Sequence, residues 1–297
     1  MIRDSGSLAL ADERDRIFAF QSLARRITDT RFRPETPNYE LSLWEAYLGF
    51  AKKYVSDTGD LSLLNFVHHN QRTIDEAPVS CCPQWNVVVY ETGFVTNLER
   101  PQPSQPPRLF GDVLCVRGVI FDVVSAASEV LSKQTSLQDI AFADCLVVGN
   151  PLTPVTPRPW ECHFAAYVRE LARMSNDAEL PEGLASGDGG DIAWAHFQVA
   201  YMIDKRRLVV TNRGYYGLVP GPSRQGDVVA VVGGALTPLI LRETSLGNYR
   251  LVGEVYISSK AVRYSESGTR EYKMLGDDVG SEDWRGWGGE EQDIFLV

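Results

Sequence analysis

Residues 206–256 alternate short apolar runs with turn residues, and this segment limits the possible folds more than any other part of the chain. The apolar runs cover residues 208–210, 228–232, 239–241 and 249–256. The turn signals between them are Asn212-Arg213-Gly214, Pro220-Gly221-Pro222, Gly233-Gly234 and Leu246-Gly247-Asn248. Runs of this length, rich in Val, Ile, Leu and Tyr, are typical of antiparallel strands. Four such strands in about 50 residues predict a small barrel or sandwich.

The same segment carries a string of residues with a recognisable order. It reads T-x-R-G-Y-x-G-L-x-P from Thr211, G-D-V-V from Gly226, P-L-I-L-R from Pro238 and Y-R-L-V-G-E-V-Y from Tyr249. Residues 12–19 (DERDRIFA) and 59–64 (GDLSLL) add two patches nearer the start. Together these residues resemble the C-terminal part of fungal heterokaryon-incompatibility (HET) domain proteins. The conserved front of that domain would lie before Asp12, so we expect its effector half to be absent.

The fold class follows from the order of these elements. We predict an α+β fold, in which strands of two chain segments form a small antiparallel β-barrel. N-terminal helices and an inserted helical region pack against it. We expect one compact domain over residues 1–297, divided into a helical front (11–80), barrel strands (85–125 and 205–260), a helical insertion with mobile loops (126–204) and a tail rich in Trp and Gly (261–297).

Start and stop signals place several of the elements. A helix is predicted from Asp12 to about residue 26, and a second one begins at the capping box formed by Ser42 and Glu45 and ends at Gly59. Residues 161–174 and 191–203 have apolar residues at helical spacing. Gly-Asp pairs at residues 111–112 and 226–227 each precede an apolar run, which predicts a turn that leads into a strand.

Composition and charge exclude several classes of protein. The net charge is −10 and the pI is about 5.0, which disfavours a nucleic-acid surface because phosphate binding needs clustered Lys and Arg. Five cysteines, with Cys81 beside Cys82, do not indicate a disulfide framework. The sequence has neither a signal peptide nor an apolar run of membrane-spanning length. We therefore expect a cytoplasmic protein without a membrane partner, and nothing in the sequence excludes an oligomer.

Catalytic motifs are missing from the sequence. It has no Gly-x-Ser-x-Gly, no P-loop and no Gly-x-Gly-x-x-Gly, and its Cys and His pairs lack the spacing of a zinc site. We therefore expect neither a metal nor a nucleotide cofactor. His163 lies at the start of a predicted helix, where an acid or base can act, although most such residues simply pack. Tyr216 lies between two glycines and is our candidate for a hydrogen-bond donor in a pocket. These two residues are the catalytic candidates.

Aromatic residues supply the candidates for ligand binding. Large aromatic side chains can line an apolar cavity, although most of them belong to cores. The aromatic candidates are Trp85, Trp160, Trp194, Trp284 and Trp287. Arg213 is an additional, charged candidate. The Gly-rich surroundings of Trp284 and Trp287 predict a lid over the barrel mouth. On that hypothesis, deletion of the residues after Asp283 removes ligand binding and leaves the fold intact.

Two functions fit this sequence. We favour a cofactor-free fungal enzyme of natural-product biosynthesis, a cyclase or pericyclase that binds an apolar reactive small molecule and directs a cyclisation or a hetero-Diels-Alder cycloaddition. The alternative is a non-enzymatic HET-like incompatibility or signalling protein that binds a protein partner. A closed apolar pocket of several hundred Å³ would favour the enzyme, whereas a filled core with an exposed apolar patch would favour the protein partner.

Overall fold

The computed structural model describes residues 10–24, 32–33, 35–87, 103–131, 160–175, 186–264, 270–274 and 289–297. Its helices are α1 (Asp15–Ala24), α2 (Leu43–Thr58), α3 (Gln71–Glu76), α4 (Trp160–Ser175) and α5 (Ile192–Ile203), with a 3-10 helix at Ser62–Phe66. Its strands are β1 (Arg108–Phe110), β2 (Val113–Ala127), β3 (Arg206–Thr211), β4 (Tyr215–Pro220), β5 (Val228–Val232), β6 (Leu239–Glu243), β7 (Tyr249–Glu254), β8 (Tyr256–Tyr264), β9 (Arg270–Met274) and β10 (Gln292–Leu296).

Five strands pair into a closed ring. β2 pairs with β5, β5 with β6 and β6 with β7, all antiparallel. β10 completes the circuit because it pairs with β7 in parallel at Leu296 and Tyr249, and with β2 in antiparallel register from Leu296 and Leu114 to Gln292 and Gly118. The sequence did not indicate this closing strand, which lies within the segment that we expected to be a tail.

A second group of strands extends from the far end of β2. β2 pairs with β3, β3 with β4, β4 with β8 and β8 with β9, again all antiparallel. β2 serves both groups because it runs for 15 residues and changes register after Ile120 and after Val124. Such irregularities bend a strand and increase its twist. The mainly antiparallel sheet and the helices around it confirm the predicted α+β class.

The turn signals of residues 206–256 agree with the structure, whereas the number of strands is larger than the four expected. Gly214, Gly226, Gly234 and Gly247 all have positive φ, between 75° and 92°, in the turns that they were predicted to form. β4 is an additional strand. The run 249–256 also divides at Val255 into β7 and β8, after Gly253 with φ 150°.

The predicted helical front is present, with one boundary moved. Ser42 and Glu45 form both hydrogen bonds of the capping box at the start of α2, and Gly59 ends that helix in a left-handed conformation. α1 begins at Asp15 rather than at Asp12, and the Asp12 carboxylate accepts hydrogen bonds from the backbone and the side chain of Arg14. The structure places Trp85 in a turn, and residues 88–95 of the predicted strand lie outside the described residues.

Two large apolar clusters hold the ring in place. Alternate residues of the ring strands, such as Ala230, Leu241 and Ile294, pack with α1, α2 and the 3-10 helix. The residues between them, such as Val229 and Ile240, pack with side chains of β3, β4 and α3. All five of these side chains are fully buried, so both faces of the ring strands have apolar neighbours. Among the described residues, no helix is long and apolar enough to cross a membrane.

Candidate functional site

His163 and Asp191 join α4 to the start of α5. The His163 side chain is fully buried, and its Nδ1 accepts a hydrogen bond of 2.8 Å from the backbone N–H of Asp191. Asp191 is the N-cap residue of α5, and its carboxylate accepts a hydrogen bond of 2.9 Å from the backbone N–H of Trp194. The rings of His163 and Trp194 lie 5.0 Å apart. Nδ1 of His163 is therefore a hydrogen-bond acceptor that orients the first turn of α5.

Two glycines allow the chain before α5 to lie directly against α4. Gly187 has φ +74°, and a Cβ atom there would lie 2.9 Å from the backbone nitrogen of Ala166. A Cβ atom at Gly190 would lie 2.8 Å from the Cβ of Ala166. Both distances are too short for real carbon contacts, so side chains at these positions would push α5 away from α4.

The outer face of α5 is apolar and open to solvent. Ile192 is 40% exposed and Phe197 is 55% exposed. The rings of Phe197 and Tyr201 stack with centroids 5.3 Å apart. Ala193 and His196 are also exposed on this helix. We refer to Ile192, Ala193, His196, Phe197 and Tyr201 as the outer face of α5.

Tyr216 and Trp194 meet at one apolar cluster. Tyr216 is half-buried on β4, whereas its neighbour Tyr215 is fully buried and belongs to a different cluster. Tyr216 and Trp194 both pack against a cluster that includes Tyr167, whose phenol pKa is raised by burial. The members of this cluster are Leu131, Phe164, Tyr167, Val168, Ala195, Val199, Met202, Ile203, Leu208, Leu218 and Tyr256. This cluster therefore brings together three of the predicted site residues: Trp194 and Tyr216 pack against it, and His163 contacts Trp194.

Arg213 lies in a different environment, at the turn between β3 and β4. Its guanidinium group lies over the ring of Phe121, 4.9 Å from the centroid, and 5.7 Å from that of Tyr215. Its backbone N–H donates a hydrogen bond of 3.0 Å to a carboxylate oxygen of Asp122. These contacts tie the turn to β2, and Phe121 and Tyr215 belong to the cluster of the ring strands rather than to that of Trp194.

Of the predicted tryptophans, Trp85 and Trp194 are the two whose side chains the structure describes, and they lie in different clusters. Trp85 is buried under α2, with its ring 5.2 Å from that of Tyr47 and 5.5 Å from that of Phe50. It therefore belongs to the N-terminal cluster and not to that of Trp194. Trp160 is the first residue of α4, but its side chain lies outside the described part of the structure. Trp284 and Trp287 lie outside the described residues altogether.

A small cavity lies between α2 and the hairpin of β1 and β2. Its volume of about 20 Å³ is about what one buried water molecule needs. The residues that line it are Leu48, Ala51, Lys52, Val55, Leu63, Val79, Cys81, Cys82, Leu109, Asp112 and Leu114. Burial raises the pKa of the Cys81 thiol to about 12 and also raises that of Cys82, so both thiols are neutral packing groups. Trp85 and Tyr216 do not line this cavity.

His69 is buried and has a hydrogen-bond partner at each ring nitrogen, which is typical of a structural histidine. Its Nε2 lies 2.9 Å from the carbonyl oxygen of Ser80, and its Nδ1 lies 3.2 Å from Oγ1 of Thr73. Burial lowers the pKa of His69, which keeps the imidazole neutral. Across the parts of the chain that the structure covers, no group of three or more His, Cys, Asp or Glu residues is arranged to hold a metal ion.

The segment that contains α5 and the strands after it matches a known protein family. Residues 188–261, from the turn before α5 into β8, match the family described as the Het-6 beta-barrel domain. The C-terminal region of this chain is HET-like. The match covers about a quarter of the chain and confirms the resemblance carried by residues 211–256. Searches of curated proteins and of solved structures found no match.

The HET-like region depends on residues outside the matched segment. His163 orients α5 from α4, and β2 and β10 pair with the matched strands, yet all three lie outside residues 188–261. The sequence predictions did not include the outer face of α5. A usable signal was present, since residues 192–203 contain no charged side chain, and a helix that is apolar all round needs a covering partner on every side.

Proposed function

We propose that this HET-like protein is a protein-binding module and that the outer face of α5 is its recognition surface. The observation that carries the proposal is the 55% exposure of Phe197, which stacks on Tyr201, on a helix whose opposite side, with Ala195 and Val199, is buried. Clustered, exposed apolar side chains mark interaction sites more often than scattered ones. Aromatic residues that are exposed in the free protein are also common anchors of interfaces.

The surroundings of α5 support this role because they hold the helix in a defined position. The hydrogen bond between His163 and Asp191 fixes its first turn, and the close approach at Gly190 seats it on α4. Its inner side, including Ala195, Val199 and Met202, is buried. A recognition helix that is ordered before binding loses less conformational freedom when the complex forms.

The charges near the outer face favour a partner of a particular chemistry. Asp188 and Asp191 are exposed at the N-terminal end of α5, and the chain as a whole has a net charge of −10. Opposite charges around an apolar contact raise the association rate and select the partner. The proposed partner is therefore a protein with an apolar groove for Phe197 and a basic rim.

The experiment compares two substitutions of exposed apolar residues. A photo-crosslinking amino acid at Ala193 captures the partner in fungal cells, and the purified partner is then titrated against the wild type, Phe197→Ser and Leu246→Ser. Leu246 is 84% exposed on the turn between β6 and β7, which makes it a matched control. We expect Phe197→Ser to weaken binding at least about ten-fold and Leu246→Ser to leave it unchanged. Equal affinities for all three proteins would refute the proposal.

A second candidate function is supported by the grouping of His163, Trp194 and Tyr216. Tyr216 and Trp194 pack against the same cluster, and His163 contacts Trp194. We propose that an enzyme of the cyclase type would bind an apolar substrate there, with Tyr216 as hydrogen-bond donor. The test compares the metabolites of the fungus with the gene intact, deleted and replaced by Tyr216→Phe. Accumulation of an uncyclised isomer in both altered strains supports this function, and identical metabolite profiles exclude it.

A further inference from the structure

The loop between β4 and β5 is held by a buried ion pair. Arg242 on β6 is 7% exposed and Asp227 is 1% exposed. Nε and Nη2 of Arg242 donate hydrogen bonds of 2.8 and 3.0 Å to the two carboxylate oxygens of Asp227, and Nη2 also donates to the carbonyl oxygen of Pro222 at 2.7 Å. This side-on geometry uses two of the three guanidinium nitrogens.

Two buried polar atoms beside this loop have no partner among the described residues. They are Nη1 of Arg242 and Oγ of Ser223. The two groups belong to one place in the fold, because the carbonyl oxygen that Arg242 contacts is that of Pro222, which is bonded directly to the nitrogen of Ser223. Buried polar atoms in native proteins nearly always have a hydrogen-bond partner, so a pair of unpartnered ones at one site indicates a bound water or ion.

The charges at this position favour an anion. Arg250 on β7 is the cross-strand neighbour of Arg242, and like charges in that position repel each other. Desolvation is the main cause of the lowered pKa of Arg250, to which Arg242 also contributes, whereas Asp75 on α3 opposes it. The Arg250 guanidinium donates hydrogen bonds of 2.9 and 2.6 Å to the carbonyl oxygens of Ile74 and Ala77, and Asp75 is exposed. Nη1 of Arg242 is therefore a cationic donor that has no acceptor among the described residues.

We infer that a small inorganic anion of the size of chloride or bromide binds beside this loop, where it accepts hydrogen bonds from Nη1 of Arg242 and Oγ of Ser223. Both of these groups donate hydrogen bonds, and a single halide ion can accept from both. Arg242 is 7% exposed and Ser223 is 2% exposed, so an anion held between them would be shielded from solvent. The anion would also offset the repulsion between Arg242 and Arg250.

Thermal unfolding of the full chain in different sodium salts tests this inference. Chloride and bromide are compared with gluconate, a much larger polyatomic anion, at equal ionic strength. A ligand that binds only the folded state raises Tm in a concentration-dependent manner. We expect a saturable rise of a few degrees in chloride and in bromide. In crystals grown with bromide, we expect an anomalous scattering peak beside Arg242.

Two variants connect the effect to the site. Ser223→Ala removes the hydroxyl, and Arg242→Lys keeps a charge for Asp227 but removes the second terminal nitrogen. Each should weaken halide binding at least about ten-fold, whereas Arg108→Lys, at the half-exposed pair with Asp293, should bind like the wild type. The same Tm in all three salts would overturn the inference and indicate a bridging water. A halide effect that is unchanged in Ser223→Ala would also overturn it, even if Arg242→Lys does not fold.

Discussion

Ring strand β5 and helix α5 both lack charged residues, but they use their apolar side chains differently. All five residues of β5 are buried, and so are the first four residues of β6. α5 has no charged residue, yet Ile192 and Phe197 are exposed. The apolar residues of β5 and β6 are occupied in holding the fold together, whereas part of α5 remains available for contact with another molecule. Substitutions in β5 and β6 should therefore lower the stability of the fold, whereas substitutions of the exposed residues of α5 should leave stability largely unchanged.

The largest loss of stability is expected for the buried ion pair of the ring. Asp227→Asn leaves the charge of Arg242 buried without a counter-charge, which should lower the free energy of unfolding by about 3–5 kcal/mol. Asp293→Asn is the control, because Asp293 is partly exposed in its contacts with Arg108 and Arg117. It should cost about 0–1 kcal/mol. Urea unfolding measures both values, and similar losses would contradict the structural role of Asp227.

Ile294→Ala and Phe197→Ala test the comparison most directly. Ile294 is fully buried where β10 closes the ring, so we expect a loss of about 2–4 kcal/mol. Phe197→Ala should change the free energy of unfolding by no more than about 1 kcal/mol, because the side chain is already 55% exposed. Chemical denaturation gives both numbers. A loss at Phe197 as large as that at Ile294 would mean that the outer face of α5 is part of the core.

The contact between α4 and α5 should be sensitive to a single methyl group. Gly190→Ala places a carbon 2.8 Å from Ala166, and the resulting shift should cost about 1–3 kcal/mol. Gly49→Ala in α2 is the matched control, since nothing lies within 4 Å of its new Cβ atom. Because alanine favours helices, that variant should gain about 0.5–1 kcal/mol. Hydrogen exchange should show the effect of Gly190→Ala mainly in α4 and α5, and an evenly distributed effect would argue against a local contact.

The smallest effect is a dependence of stability on pH through His69. Burial lowers the pKa of His69 in the folded protein, so the unfolded chain binds a proton first as the pH falls. Stability should therefore be complete above the ordinary histidine pKa of about 6.5 and should fall below it, by at most about 1.4 kcal/mol per pH unit. His69→Gln should reduce the slope of the free energy of unfolding between pH 7 and 5, which urea titrations measure. An unchanged slope would show that other groups dominate.

Local signals predicted the local parts of the fold. The capping box of Ser42 and the turn at Gly214 depend on residues that are close in sequence, and both agree with the structure. The pairing of Phe295 with Cys115 joins distant parts of the chain, so no local pattern indicates it. Deletion of the residues after Asp283, which we expected to spare the fold, would remove β10 from the ring.

The candidate site was predicted only in part for the same reason. His163, Trp194 and Tyr216 were chosen as single residues, and the sequence gave no sign that His163 contacts Asp191. Whether these residues bind a ligand remains a prediction. The outer face of α5 was missed because periodicity in an apolar helix does not show which side is buried.

The length of β2 affects how cooperatively the protein unfolds. β2 pairs with β1, β3, β5 and β10, and among the described strands it is the one that belongs both to the ring and to the second group. If β2 separated from the strands of one group, apolar side chains that both groups bury would become exposed to solvent. The described strands should therefore form one cooperative unit, with coincident loss of far-ultraviolet circular dichroism and tryptophan fluorescence on denaturation.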